Sequence, residues 1–163
     1  MHGSKAYLVT AFVVAFSVLI IVPVWFLLGV TKGSGHTHAS MMVSVKAFRA
    51  KLDEQQQLYG LPDGSVSMPL NSKVYILAQQ FAFTPHTIHL QRGGHYDLVF
   101  YSSDVLHGAS LEQAGRGSVN TIVMPGMIST LSINTNQAGE IVLLCTEYCG
   151  AAHHLMRGKF IVE

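Results

Sequence analysis

Residues 145–156 read Cys-Thr-Glu-Tyr-Cys-Gly-Ala-Ala-His-His-Leu-Met, placing Cys145, Cys149, His153 and Met156 at successive intervals of four, four and three. Two thiolates, an imidazole and a thioether form a soft donor set, which selects copper over the oxygen-preferring Mg and Ca. A disulfide would leave the following His and Met without a role, and zinc gives none to a thioether. One copper needs a single thiolate, whereas a second thiolate can bridge two metal ions, each then requiring its own terminal nitrogen. His153 supplies one nitrogen, and His107, within Ser103-Asp104-Val105-Leu106-His107-Gly108, is the candidate for the other. Weak axial positions are left for the Met156 sulfur and for a backbone carbonyl within 145–149.

The flanking sequence explains how such a loop is held. Short β-prone runs occupy 74–83, 87–90, 96–101, 121–124, 130–134, 141–145 and 159–162, separated by the turn signals Gly93-Gly94, Pro125-Gly126 and Ala138-Gly139. Tyr96, Leu98 and Phe100 alternate with His95, Asp97 and Val99, a period-two pattern with one core face. About seven short strands in some 90 residues predict a Greek-key β-sandwich or barrel, with the donor loop between the last two strands. Asp104 is a candidate hydrogen-bond acceptor behind His107. His86, His89 and His95 read as ordinary strand or turn residues, and His154 as a neighbour of the donors that points away.

Further upstream, Met41, Val45, Phe48 and Leu52 recur at helical spacing and mark an amphipathic helix, closed by Gly60, Pro62, Asp63 and Gly64. Residues 6–30 carry no charged side chain, and as a helix they would run roughly 37 Å, more than the bilayer hydrocarbon. This predicts a transmembrane anchor, longer than the apolar core of a signal peptide, with Trp25 placed for the interface. His36 and His38 read as linker residues. The expected organisation is therefore an N-terminal segment with the helix over 1–35, an amphipathic helix and linker over 36–70, and the β domain over 71–163. Charged residues are 12% and hydrophobic ones 49%, while 10 Lys+Arg stand against 9 Asp+Glu, a balance that excludes a strongly basic nucleic-acid binder.

The Cys-x3-Cys-x3-His-x2-Met string with its upstream His resembles subunit II of the haem-copper terminal oxidases, whose cupredoxin domain carries a binuclear CuA centre. The resemblance covers the anchor and nearly the whole β domain. It implies that Cys145 and Cys149 bridge two coppers, that His107 and His153 are terminal ligands, and that Met156 and the main-chain carbonyl of Glu147 are axial ligands. The single predicted helix, the sole tryptophan Trp25 in the anchor and the Phe81-Ala82-Phe83 string resemble the B-type oxidases, which recruit a separate small single-helix subunit. In that group Phe81 and Phe83 would form an apolar docking patch for the electron donor. The side chain of Glu147 is instead the A-type choice, where it helps bind Mg at the contact with subunit I. Every ligand position is filled, unlike in the quinol-oxidising branch.

The resemblance further implies a non-catalytic subunit of cytochrome c oxidase. It would take electrons from a soluble cytochrome c or copper protein and pass them to haem in subunit I, where O2 is reduced to water. Its place would be the cytoplasmic membrane, single-pass, N-terminus inside and copper domain on the outer or periplasmic face. The β domain carries five basic against six acidic side chains, so docking should be largely apolar with modest charge steering. Two other readings fit the same residues: the corresponding subunit of a CuA-containing nitric oxide reductase, and a membrane-tethered copper carrier.

Overall fold

The computed structural model describes residues 3–29, 43–114 and 117–163. The chain divides into two compact units, Met1–Thr37 and His38–Glu163. The first contains helix α1, Gly3–Gly29, with Pro23 inside it. Its described side chains include exposed Phe12, Phe16 and Leu19. Among the described residues, no helix is long and apolar enough to cross a membrane. His36, His38 and Met41 lie outside the described residues.

The second unit is a β-sandwich with one helix. Strands β1 (Val66–Met68), β4 (Thr87–Leu90), β6 (His107–Glu112), β7 (Ser118–Val123), β9 (Gly139–Leu144) and β10 (Arg157–Val162) form one sheet, in the order β1-β4-β10-β9-β6-β7. Strands β2 (Lys73–Gln79), β3 (Ala82–Thr84), β5 (His95–Ser102) and β8 (Ile128–Asn134) form the other, in the order β3-β2-β5-β8. Inward-facing Val74, Ile76 and Ala78 of β2 and Tyr96, Leu98 and Phe100 of β5 meet Ile88, Leu90, Leu111, Leu143 and Phe160 of the facing sheet in one core.

The predicted alternation on β5 therefore holds, although Val99, assigned to the solvent side, is buried as well. The cause is helix α2, Val45–Tyr59, which lays Phe48 and Leu52 over Leu77, Val99 and Tyr101 on the outer face of the four-stranded sheet. Phe48 stacks on Tyr101 at 4.8 Å. Burying that one ring contributes about 1.5–3 kcal/mol. Ser44 caps the helix by accepting a hydrogen bond from the Ala47 N–H. Gln55 of the same helix donates to the Tyr75 carbonyl at 3.0 Å and accepts from the Tyr75 N–H at 2.8 Å. Its side chain thus acts as a one-residue strand partner, satisfying backbone groups of β2 beyond the end of its pairing with β3.

Three boundaries differ from the sequence reading. The second unit reaches further upstream than 71, because α2 and β1 pack into it and bury Phe48, Val66 and Met68. The run 74–83 is two strands rather than one, reversing at Gln80–Phe81. Residues 107–112, outside the predicted runs, form β6, in which Gly108 and Ala109 pair with β7 and Ser110 with both β7 and β9, although these three have weak strand propensity of their own.

Candidate metal centre

Strands β9 and β10 form a hairpin in which Leu144 pairs with Arg157, so residues 145–156 are its loop. The Cys145 N–H donates to the Met156 carbonyl at 3.1 Å and closes the base of that loop. Within it, the Gly150 and His153 carbonyls accept from the His153 and Met156 N–H groups, making a short 3-10 turn at His153–Leu155. Four donors spread over twelve residues are thereby drawn to one end of the sandwich. His107 enters from the first position of β6, which pairs with β9 one hairpin away.

The donor atoms converge. Cys145 Sγ and Cys149 Sγ are 3.8 Å apart. His107 Nδ1 lies 3.7 Å from Cys145 Sγ, and His153 Nδ1 lies 3.6 Å from Cys149 Sγ. Met156 Sδ is 3.7 Å from Cys149 Sγ, while the Glu147 carbonyl oxygen is 3.3 Å from Cys145 Sγ. The sequence reading named all six of these residues, and the fold brings them together around the two sulfurs. Among the described residues, the group of His, Cys, Asp and Glu side chains able to surround an ion is His107, Cys145 and Cys149. His107 is fully buried and Cys145, Cys149 and Met156 nearly so, whereas His153 is half-buried and faces the rim beside exposed Tyr148.

Such burial shapes the proton chemistry. Removal from water, reinforced by the neighbouring Cys145 thiol, pushes the Cys149 thiol up to about 11. A cation entering this site would therefore displace a proton that the empty protein holds at neutral pH. Asp104 shows the opposite balance. Partial burial opposes its charge, but hydrogen bonds from the Gln80 N–H, His107 and the Val105 N–H outweigh that and hold the carboxyl below its ordinary value.

His107 Nε2 lies 2.9 Å from Asp104 Oδ1. A carboxylate can only accept there, so the proton sits on Nε2 and the Nδ1 lone pair is left facing the sulfurs. The acid dependence follows. Because the folded value is lowered, the contribution of Asp104 is complete above its unfolded value near pH 4 and is lost as the pH falls through the folded one. Asp104→Asn is expected to flatten that part of the acid-unfolding curve of the metal-free chain and to lower copper affinity by about 10- to 100-fold. Denaturant titrations between about pH 2 and 6 and competition with a chelator would measure the two effects.

Gly108 makes the close approach possible, since a Cβ there would collide with Thr146 Oγ1 and lie 3.0 Å from the Glu147 N. Of the two docking candidates, only Phe81 remains near the surface. Phe83 is 1% exposed, packs edge-on to Phe100 and belongs to the core, because the period-two pleat of β3 turns it inward. Sequence reasoning also missed Gln80. This exposed turn residue gives its backbone N–H to Asp104 Oδ2 at 2.7 Å and its side-chain amide to the Cys149 carbonyl. No local pattern marks it, as both partners are distant in sequence.

The donor set fits copper. Two thiols, two imidazole nitrogens and a thioether aimed at one buried spot suit a soft ion, and no carboxylate lies among the converging atoms.

No protein-family model matches the chain. Cytochrome c oxidase subunit 2 of Thermus thermophilus is 33% identical over 95 residues, which are 58% of this chain and 68% of that protein. Among solved structures, a chain of a heme-copper terminal oxidase dimer superimposes with a TM-score of 0.54 at 22% identity, covering 99% of this chain and 100% of the other. Rusticyanin from Thiobacillus ferrooxidans gives 0.56 at 13% identity, over 79% of this chain and 100% of rusticyanin. At such identities these two likenesses speak for the fold, which is cupredoxin-like. The identity to the Thermus protein over two-thirds of its length carries the relationship itself, and the chain belongs to the cytochrome c oxidase subunit 2 family.

Proposed function

We propose that this chain is the subunit through which electrons enter a terminal respiratory oxidase, with a binuclear CuA centre held by Cys145, Cys149, His107, His153, Met156 and the Glu147 carbonyl. The observation that carries the reading is the convergence of four further donor atoms on two cysteine sulfurs 3.8 Å apart. Copper in such a site would cycle by one electron, with the charge shared over two metals. The chain's own part is to keep the geometry the same in both states. The β9–β10 hairpin clamps the loop ends through Cys145 and Met156, Asp104 fixes the ring of His107, and the buried sulfurs exclude water.

The electron donor, a soluble cytochrome c or copper protein, would approach on the side of half-buried His153 and of Phe81. The acceptor would be haem in subunit I. Helix α1, uncharged beyond Lys5 and with exposed apolar side chains, would be the single membrane anchor, N-terminus inside and copper domain on the outer or periplasmic face. A small single-helix subunit would complete the assembly. The half-buried side chain of Glu147 would bind Mg only with further ligands from subunit I, since among the described residues it belongs to no group of three or more ligating side chains.

The observation against a copper carrier is burial, because a carrier needs labile, exposed metal and here both cysteines, His107 and Met156 are enclosed. The test is copper content and electron paramagnetic resonance of the full chain in detergent. Two coppers per chain and one electron spread over two nuclei of spin 3/2, giving seven hyperfine lines, are expected. One copper with four lines, or a zinc-filled protein without a signal, would sink the proposal.

A further inference from the structure

Gln80 lies in the turn between β2 and β3, on neither strand that carries a donor, yet it touches both halves of the centre. Its backbone N–H donates to Asp104 Oδ2 at 2.7 Å, and the other oxygen of that carboxylate holds His107 Nε2 at 2.9 Å. Its side-chain amide reaches across to the Cys149 carbonyl. A carbonyl only accepts, so the NH2 end of the amide must face it. The next residue leaves room for this reach. A Cβ at Gly150 would stand 2.8 Å from Gln80 Nε2 and 2.9 Å from the Phe81 ring, and the Gly150 φ of +135° also disfavours a side chain. The segment following Cys149 is thus shaped around the Gln80 amide.

We infer that Gln80 is a positioning residue for the metal centre, strapping the Cys149 segment of the donor loop to the Asp104–His107 pair. The inference rests on the copper reading above. Without the strap, the Cys149 segment is held by its own loop alone, while His107 keeps Asp104, because the Gln80 backbone N–H survives any side-chain change. Loss of the amide should therefore loosen one sulfur and leave the first histidine in place. As an exposed turn residue, Gln80 can be replaced with little effect on overall stability.

The experiment uses the full chain in detergent, as wild type, Gln80→Leu and Gln80→Glu. Leucine removes the donor, and glutamate keeps the shape while opposing a carboxylate to the carbonyl. Competition against a copper chelator is expected to show affinity lower on the order of 10- to 100-fold in both variants. Their electron paramagnetic resonance should show unequal coupling to the two coppers, a change that a mere loss of stability would not produce. Wild-type affinity and spectrum in either variant would overturn the inference. Loss of the metal-free fold in both, seen by circular dichroism, would overturn it too by making Gln80 a folding residue. Failure of the wild type to take up two coppers would show itself before any variant is compared, and would remove the copper reading and this inference with it.

Discussion

Cys149→Ser is expected to abolish the two-copper site, leaving one copper or none per chain and no seven-line spectrum. Cys149 Sγ is the hub of the converging atoms, 3.8 Å from Cys145 Sγ, 3.6 Å from His153 Nδ1 and 3.7 Å from Met156 Sδ. A hydroxyl is a hard and poorly ionised donor that does not replace a thiolate toward copper. The fold should survive, because serine is smaller than cysteine and the metal-free protein already carries a neutral group there. Metal analysis with circular dichroism on the same sample separates the two effects. Two coppers with the wild-type spectrum would remove Cys149 from the centre.

Phe83→Ala is expected to destabilise the sandwich by about 3–5 kcal/mol, the cost of emptying a fully packed aromatic site. Phe83 meets Phe100 at 6.5 Å between ring centres and sits beside Gly158 of β10, so the cavity would open between the two sheets. Denaturant unfolding followed by far-ultraviolet circular dichroism measures it. Phe81→Ala, on a half-buried ring next to Gly150, should cost less stability and, on the proposed docking side, slow electron uptake from a soluble donor. A change of under about 1 kcal/mol for Phe83→Ala would contradict its place in the core.

Both predictions concern residues that the sequence named, yet with different success. The donor string is legible because its members are neighbours along the chain, and the soft chemistry of Cys, Cys, His and Met at intervals of four, four and three restricts the metal before any fold is known. The strands on either side are legible for the same local reason, since alternation and turn residues act over a few positions. His107 follows from the need for a second imidazole and from its place just after the run that ends at Tyr101. Its strand, β6, lies outside the predicted runs, because Gly108, Ala109 and Ser110 carry no strand signal and are held in place by pairing with β7, joined at Ser110 by β9.

By itself, then, the amino-acid order determined the candidate donor set, the β-rich texture of the second unit and the amphipathic character of α2. Tertiary structure decided which surface each pattern meets. Period-two alternation separates two faces of a strand but does not say what covers either one, so Val99 goes under α2 and Phe83 goes into the core. Contacts between distant segments leave no trace in local order. The hold of Asp104 on His107 nitrogen spans only three residues and could be suspected, whereas the Gln80 amide meets the Cys149 carbonyl across 69 positions. That meeting exists only because two sheets, closing on a common core, bring the β2–β3 turn and the β9–β10 loop to the same end of the sandwich.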